Sequence, residues 1–64
     1  MRVQILVQDM DVEPIDTDMR ALPAVESSML LQLPDGARLE AKVTRIVKNE
    51  QGRTIIFVRD AAAP

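Results

Sequence analysis

Apolar residues fall at every second position in three separate stretches of this chain, and that spacing limits its fold more than any other feature. Val3, Ile5 and Val7 share one phase over residues 2 to 8, with Arg2, Gln4 and Gln8 in the other. Leu39, Ala41 and Val43 repeat the pattern from Arg38, with Glu40, Lys42 and Thr44 opposite. β-branched and aliphatic side chains at period two suit strands with one face buried. Arg53 to Asp60 adds Ile55, Ile56, Phe57 and Val58 in succession, a run apolar on both faces that implies a central or interface strand. Phe57 is expected in the core.

The segment from Ala24 to Leu33 supports two readings. Leu22, Val25, Met29 and Leu33 recur at helical spacing, while Met29, Leu31 and Leu33 alternate. The strand, over residues 28 to 33, is favoured because Pro34-Asp35-Gly36 follows at once and a new alternating run begins at Arg38, which is the pattern of a hairpin. Asn49-Glu50-Gln51-Gly52 marks a second turn. Along the strand from Arg38 to Lys48 the phase slips: Arg45 stands where an inward residue is due, and Ile46 follows it. A β-bulge near Thr44 and Arg45 turns Arg45 outward and returns Ile46 to the core.

Between the first strand and this meander lies an acidic connection, Asp9 to Glu26, containing Pro14 and Pro23. Structureless connections of such length are uncommon in compact domains, so part of it is expected to be ordered. Asp16 or Thr17 is placed to cap one helical turn over residues 18 to 22, which Pro23 then stops. The fold class is therefore mainly β: a small bent antiparallel sheet or SH3-like barrel of four to five strands, with a long acidic connection and room for one short helical turn. Residues 1 to 60 form a single domain and residues 61 to 64 a frayed tail.

With 64 residues the core is small, and such domains often lean on disulfides, metals or self-association. The chain has neither Cys nor His, which removes disulfides and the common zinc sites and leaves self-association as the simplest support. The same absences weigh against catalysis. Ser27, Ser28, Thr44 and Thr54 have no partner motif that would activate them, so no catalytic residue and no cofactor is expected. Asp9, Asp11 and Glu13 alternate as oxygen ligands do, yet three carboxylates are few for calcium, and the EF-hand pattern is lacking. Gly36 and Gly52 belong to turns and cradle no phosphate.

Net charge is −2, but its distribution is uneven. Residues 1 to 35 carry seven acids and two bases, and residues 36 to 64 carry six bases and three acids. The simplest expectation is that the two halves neutralise each other, within the chain or across a dimer. Arg38, Lys42, Arg45, Lys48 and Arg53 are otherwise candidates for one positive sheet face. Met10, Ile15, Met19 and Leu22, spread along the acidic connection, are candidates for an apolar contact surface.

These features favour a small non-catalytic protein-protein interaction module, a homodimer or a component of a larger assembly. The alternative is a nucleic-acid accessory protein using the basic face; a single aromatic residue offers little base stacking. The N-terminal run, interrupted by Gln4 and Gln8, does not resemble a signal peptide, so a cytoplasmic location and no membrane partner are expected.

Overall fold

A computed structural model describes residues 1–62. Five strands build one sheet: β1 (Arg2–Val7), β2 (Ile15–Asp18), β3 (Ser28–Gln32), β4 (Arg38–Lys48) and β5 (Thr54–Asp60). Their order is β2-β1-β5-β4-β3, and the sheet curls into a half-barrel. Successive strands reverse direction, so the first and fifth run the same way. When β5 docks on β1 the pairing must be parallel, with Val3 beside Thr54 and Val7 beside Val58. The sheet is therefore mixed where a wholly antiparallel one was expected; β1–β2, β3–β4 and β4–β5 are antiparallel.

The inner face holds the core: Val3, Ile5 and Val7 of β1, Leu31 of β3, Leu39, Ala41 and Val43 of β4, and Ile56 and Val58 of β5, with Leu33 beyond β3. Parity decides the place of Phe57. Ile56 and Val58 take the inward positions of β5 and are fully buried, which turns Phe57 to the outer face, half-buried and outside the expected core.

The expected bulge is present. Val43 pairs with Val58 and Arg45 with Phe57, so Thr44 is the extra residue; Ile46 then faces Ile56. The Thr44 hydroxyl lies 2.7 Å from Gln8 Oε1 and 3.2 Å from the Phe57 carbonyl, and its single proton serves one acceptor at a time. Both hairpin turns form where their residues indicate. Gly36 (φ +90°) and Gly52 (φ +79°) supply the left-handed backbone that side-chain-bearing residues adopt only under strain. Asn49 Oδ1 accepts from the amides of Gln51 and Arg53, closing the second turn.

The helical turn expected at residues 18 to 22 is absent, and β2 occupies residues 15 to 18. An isolated turn fixes several residues for one hydrogen bond. Pairing with the free edge of β1 satisfies more backbone groups, and Ile15 reaches the core beside Ile5. The helical reading of residues 24 to 33 also gives way to a strand, entered through a turn at which Glu26 has φ +74° and its amide donates to the Val43 carbonyl at 2.7 Å. At the other end of the chain the Ala61 amide donates to the Glu40 carbonyl at 2.9 Å. The Ala62 amide donates to Asp60 Oδ1 at 2.9 Å, and residues 63 and 64 of the tail expected to fray lie outside the described residues.

Ile56 has no exposed surface, so Ile56→Ala should destabilise the domain by about 2–5 kcal/mol, comparable with the whole stability of a core this small. Val25→Ala, at a side chain 53% exposed, should change stability by no more than about 0.5 kcal/mol. Urea denaturation followed by circular dichroism measures both.

Candidate interaction surface

The outer face of the three central strands departs from the polar surface that alternation would leave. Register sets Leu6 beside Phe57 and Gln4 beside Ile55, then Phe57 beside Arg45 and Ile55 beside Val47. Leu6, Phe57, Ile55 and Val47 thus form one contiguous apolar patch, each of them half-buried by its neighbours. The Arg45 guanidinium carbon lies 5.5 Å from the centre of the Phe57 ring, within cation–π range.

Cations rim the patch. Arg53 precedes Ile55 by two residues on the same face, and with Arg2 and Asp16 it lines a shallow depression at one end. Arg59 follows Phe57 by two residues and stands beside Lys42 at the other end. Arg38 continues the outward row of β4 beyond Glu40. Of the five basic residues singled out in the sequence, Arg38, Lys42, Arg45 and Arg53 share this face. Lys48 does not, because it pairs with the inward-facing Thr54 and projects at the end of the sheet.

No ion pair within 4 Å joins the acidic half of the chain to the basic half among the described residues. Among the described residues, one ion pair falls within 4 Å, between the Met1 ammonium and Asp18 at 2.8 Å. None of the rim cations has a carboxylate partner among them. Asp9, instead of joining a cluster of acids, folds back so that both carboxylate oxygens lie 3.2 Å from the Asp60 amide. No three His, Cys, Asp or Glu side chains are arranged to hold a metal ion among the described residues.

The apolar residues of the acidic connection are divided between places. Ile15 and Met19 turn inward and pack against the core. They line the seam between β2 and β3 with Ile5, Met29 and Leu31. Met10 and Leu22 stay exposed, Met10 beside Val12, Leu33 and Pro34. Leu6, Val47, Arg2 and Arg59 complete the outer face and were not singled out from the sequence. Leu6 carried a signal: it is the apolar residue in the outward phase of an otherwise regular strand.

No protein-family model matches the chain, and no curated protein or solved structure is similar enough to count as a match. Nor is any helix, among the described residues, long and apolar enough to cross a membrane.

Asp18 closes the acidic side of this face. The hydrogen bond from the Met1 ammonium, reinforced by its charge, holds the Asp18 carboxyl below its ordinary value of 3.8. A depressed carboxyl stabilises the fold above the ordinary value, and that contribution is lost as pH falls through the depressed one. Acidification below pH 3.8 should therefore loosen the start of β1 against β2. The protection of the Met19 amide against hydrogen exchange, taken relative to the intrinsic rate at each pH, should fall there, this amide donating to the Met1 carbonyl at 2.8 Å, and Asp18→Asn should abolish this component.

Proposed function

We propose that this chain is a non-catalytic protein-interaction module that docks a partner on the outer face of β1, β5 and β4. The partner it suits presents a small apolar centre surrounded by carboxylates. The observation that carries this reading is the set of rim cations without partners around Leu6, Ile55, Phe57 and Val47. Burying the patch removes apolar area from water, while incoming carboxylates meet cations that hold no ion pair within 4 Å. Catalysis has no support from the side chains available, since the chain lacks His and Cys.

The unpaired cations also favour nucleic acid as a second reading. Two features weigh against it. The middle of the face is apolar where a phosphate track needs charge, and a single aromatic ring, Phe57, offers little base stacking.

A displayed library of random peptides, selected on the purified protein, should enrich sequences that combine Leu, Ile or Phe with flanking Asp or Glu. Phe57→Ala and Arg45→Glu should each weaken the selected peptides at least tenfold, with the fold retained by circular dichroism. Titration with single- and double-stranded DNA and RNA supplies the opposing outcome. Affinity for these that falls steeply with salt, and no peptide enrichment, would replace this reading by the second.

A further inference from the structure

The half-barrel has two free edges, β2 and β3, and they differ in chemistry. No Cα of β2 comes within 8 Å of one in β3, so the strands do not close on each other. Antiparallel pairing alternates hydrogen-bonded and non-bonded residue pairs, which identifies the edge groups left over. The amides of Leu33 and Val43 donate to the carbonyls of Ala37 and Ser27, so Ser27, Met29, Leu31 and Leu33 spend their backbone groups on β4. Ser28, Leu30 and Gln32 aim theirs away from the sheet. By the same reasoning, the bond from the Met19 amide to the Met1 carbonyl leaves Asp16 and Asp18 as the free groups of β2.

An open edge is a template for another strand, and proteins usually blunt it with charge or proline. The β2 edge is blunted by two exposed aspartates in four residues. The β3 edge, Ser-Met-Leu-Leu-Gln, carries no charge and no proline, and Leu30 at its middle is the most exposed of the large apolar side chains.

We propose that β3 pairs with β3 of a second copy of this chain, antiparallel about a two-fold axis at Leu30. The strand is self-complementary in that register. Leu30 meets its twin on the outer face, Met29 meets Leu31 on the inner face, and Ser28 meets Gln32, so that apolar faces apolar and polar faces polar. Ser28, Leu30 and Gln32 each fall in a pair that exchanges two backbone hydrogen bonds with the twin strand. The two-fold closes the assembly at a pair, because the remaining edge of each copy is β2. There self-pairing would bring aspartates face to face.

The charge at position 30 and a cross-link there test this directly. The protein should be a dimer by size-exclusion chromatography with light scattering and dissociate on dilution, as a contact of one short strand implies. Leu30→Lys sets two ammonium groups opposite each other and should give a monomer whose thermal midpoint matches that of the wild type diluted until it is monomeric, because the side chain contributes little to its own core. The chain has no cysteine, so single-cysteine variants report proximity cleanly. Leu30→Cys should oxidise to a covalent dimer, the Cα separation of about 5.5 Å in such a pair being suited to a disulfide. Asp16→Cys, on the other edge, should not. A wild-type protein that stays monomeric up to about 1 mM overturns the proposal. So does a dimer untouched by Leu30→Lys, or equal cross-linking of the two cysteine variants.

Discussion

The pairing of β5 with both β1 and β4 joins what would otherwise be two separate hairpins. β2 pairs only with β1 and β3 only with β4, so every strand pairing between the two halves of the sheet passes through β5. A two-stranded hairpin is at best marginal in water, and neither half has apolar surface enough to stand alone. β5 supplies what both halves lack. Its inward residues, Ile56 and Val58, are buried completely between those of its two neighbours. The parallel register with β1 follows from strand direction alone, and the Gln8 amide, 2.8 Å from the Val58 carbonyl, extends it by one more bond.

A central strand in a single curved layer has a second consequence. Ile55 and Phe57 lie on the side without a core, and nothing in the same molecule covers them beyond adjacent side chains. The bulge at Thr44 concentrates the effect. By admitting one extra residue it keeps Ile46 over Ile56, while Arg45 is carried outward against Phe57. An uninterrupted β4 would have sent Arg45 inward, a charge with no carboxylate among the buried residues to meet it. One inserted threonine thus preserves the core and builds the outer face.

Much of this was legible in the sequence because a period of two fixes both the element and its buried face. The strands of residues 2 to 8, 28 to 33, 38 to 48 and 53 to 60 were readable to within about two residues. So was the bulge, since a regular strand would bury the Arg45 charge and one extra residue turns it out to water. β2 was not readable. Ile15 and Thr17 alternate over four residues only, too short a run to outweigh the capping residues and Pro23, which suggest a helical turn. Its formation depends on an edge of β1 that local pattern does not reveal. Phe57 was misplaced for a related reason: in a run apolar on both faces, local pattern cannot say which phase is inward, and the partner strands decide. The basic residues of the candidate surface were visible as residue types, but their common face emerged only with the register. Lys48 left the group, and Arg2 and Arg59 joined it.

The two proposed contacts are compatible in geometry. A two-fold that pairs β3 with its twin stands normal to the sheet at the contact, so both copies keep their outer faces on the outside of the curl. Because each sheet is a half-barrel with β5 in the middle, the patches around Phe57 turn away from the dyad and from each other, with Arg38 and Lys42 of each copy between its patch and the dyad. A partner carrying two acidic segments joined by a linker long enough to pass round the assembly would engage both, the second binding at the effective concentration set by the first. Affinity for single peptides would remain modest, since each patch has four half-buried side chains, and the strength of the assembly would rest on the dimer. The uncharged β3 edge and the unpaired cations of the outer face would then serve one purpose.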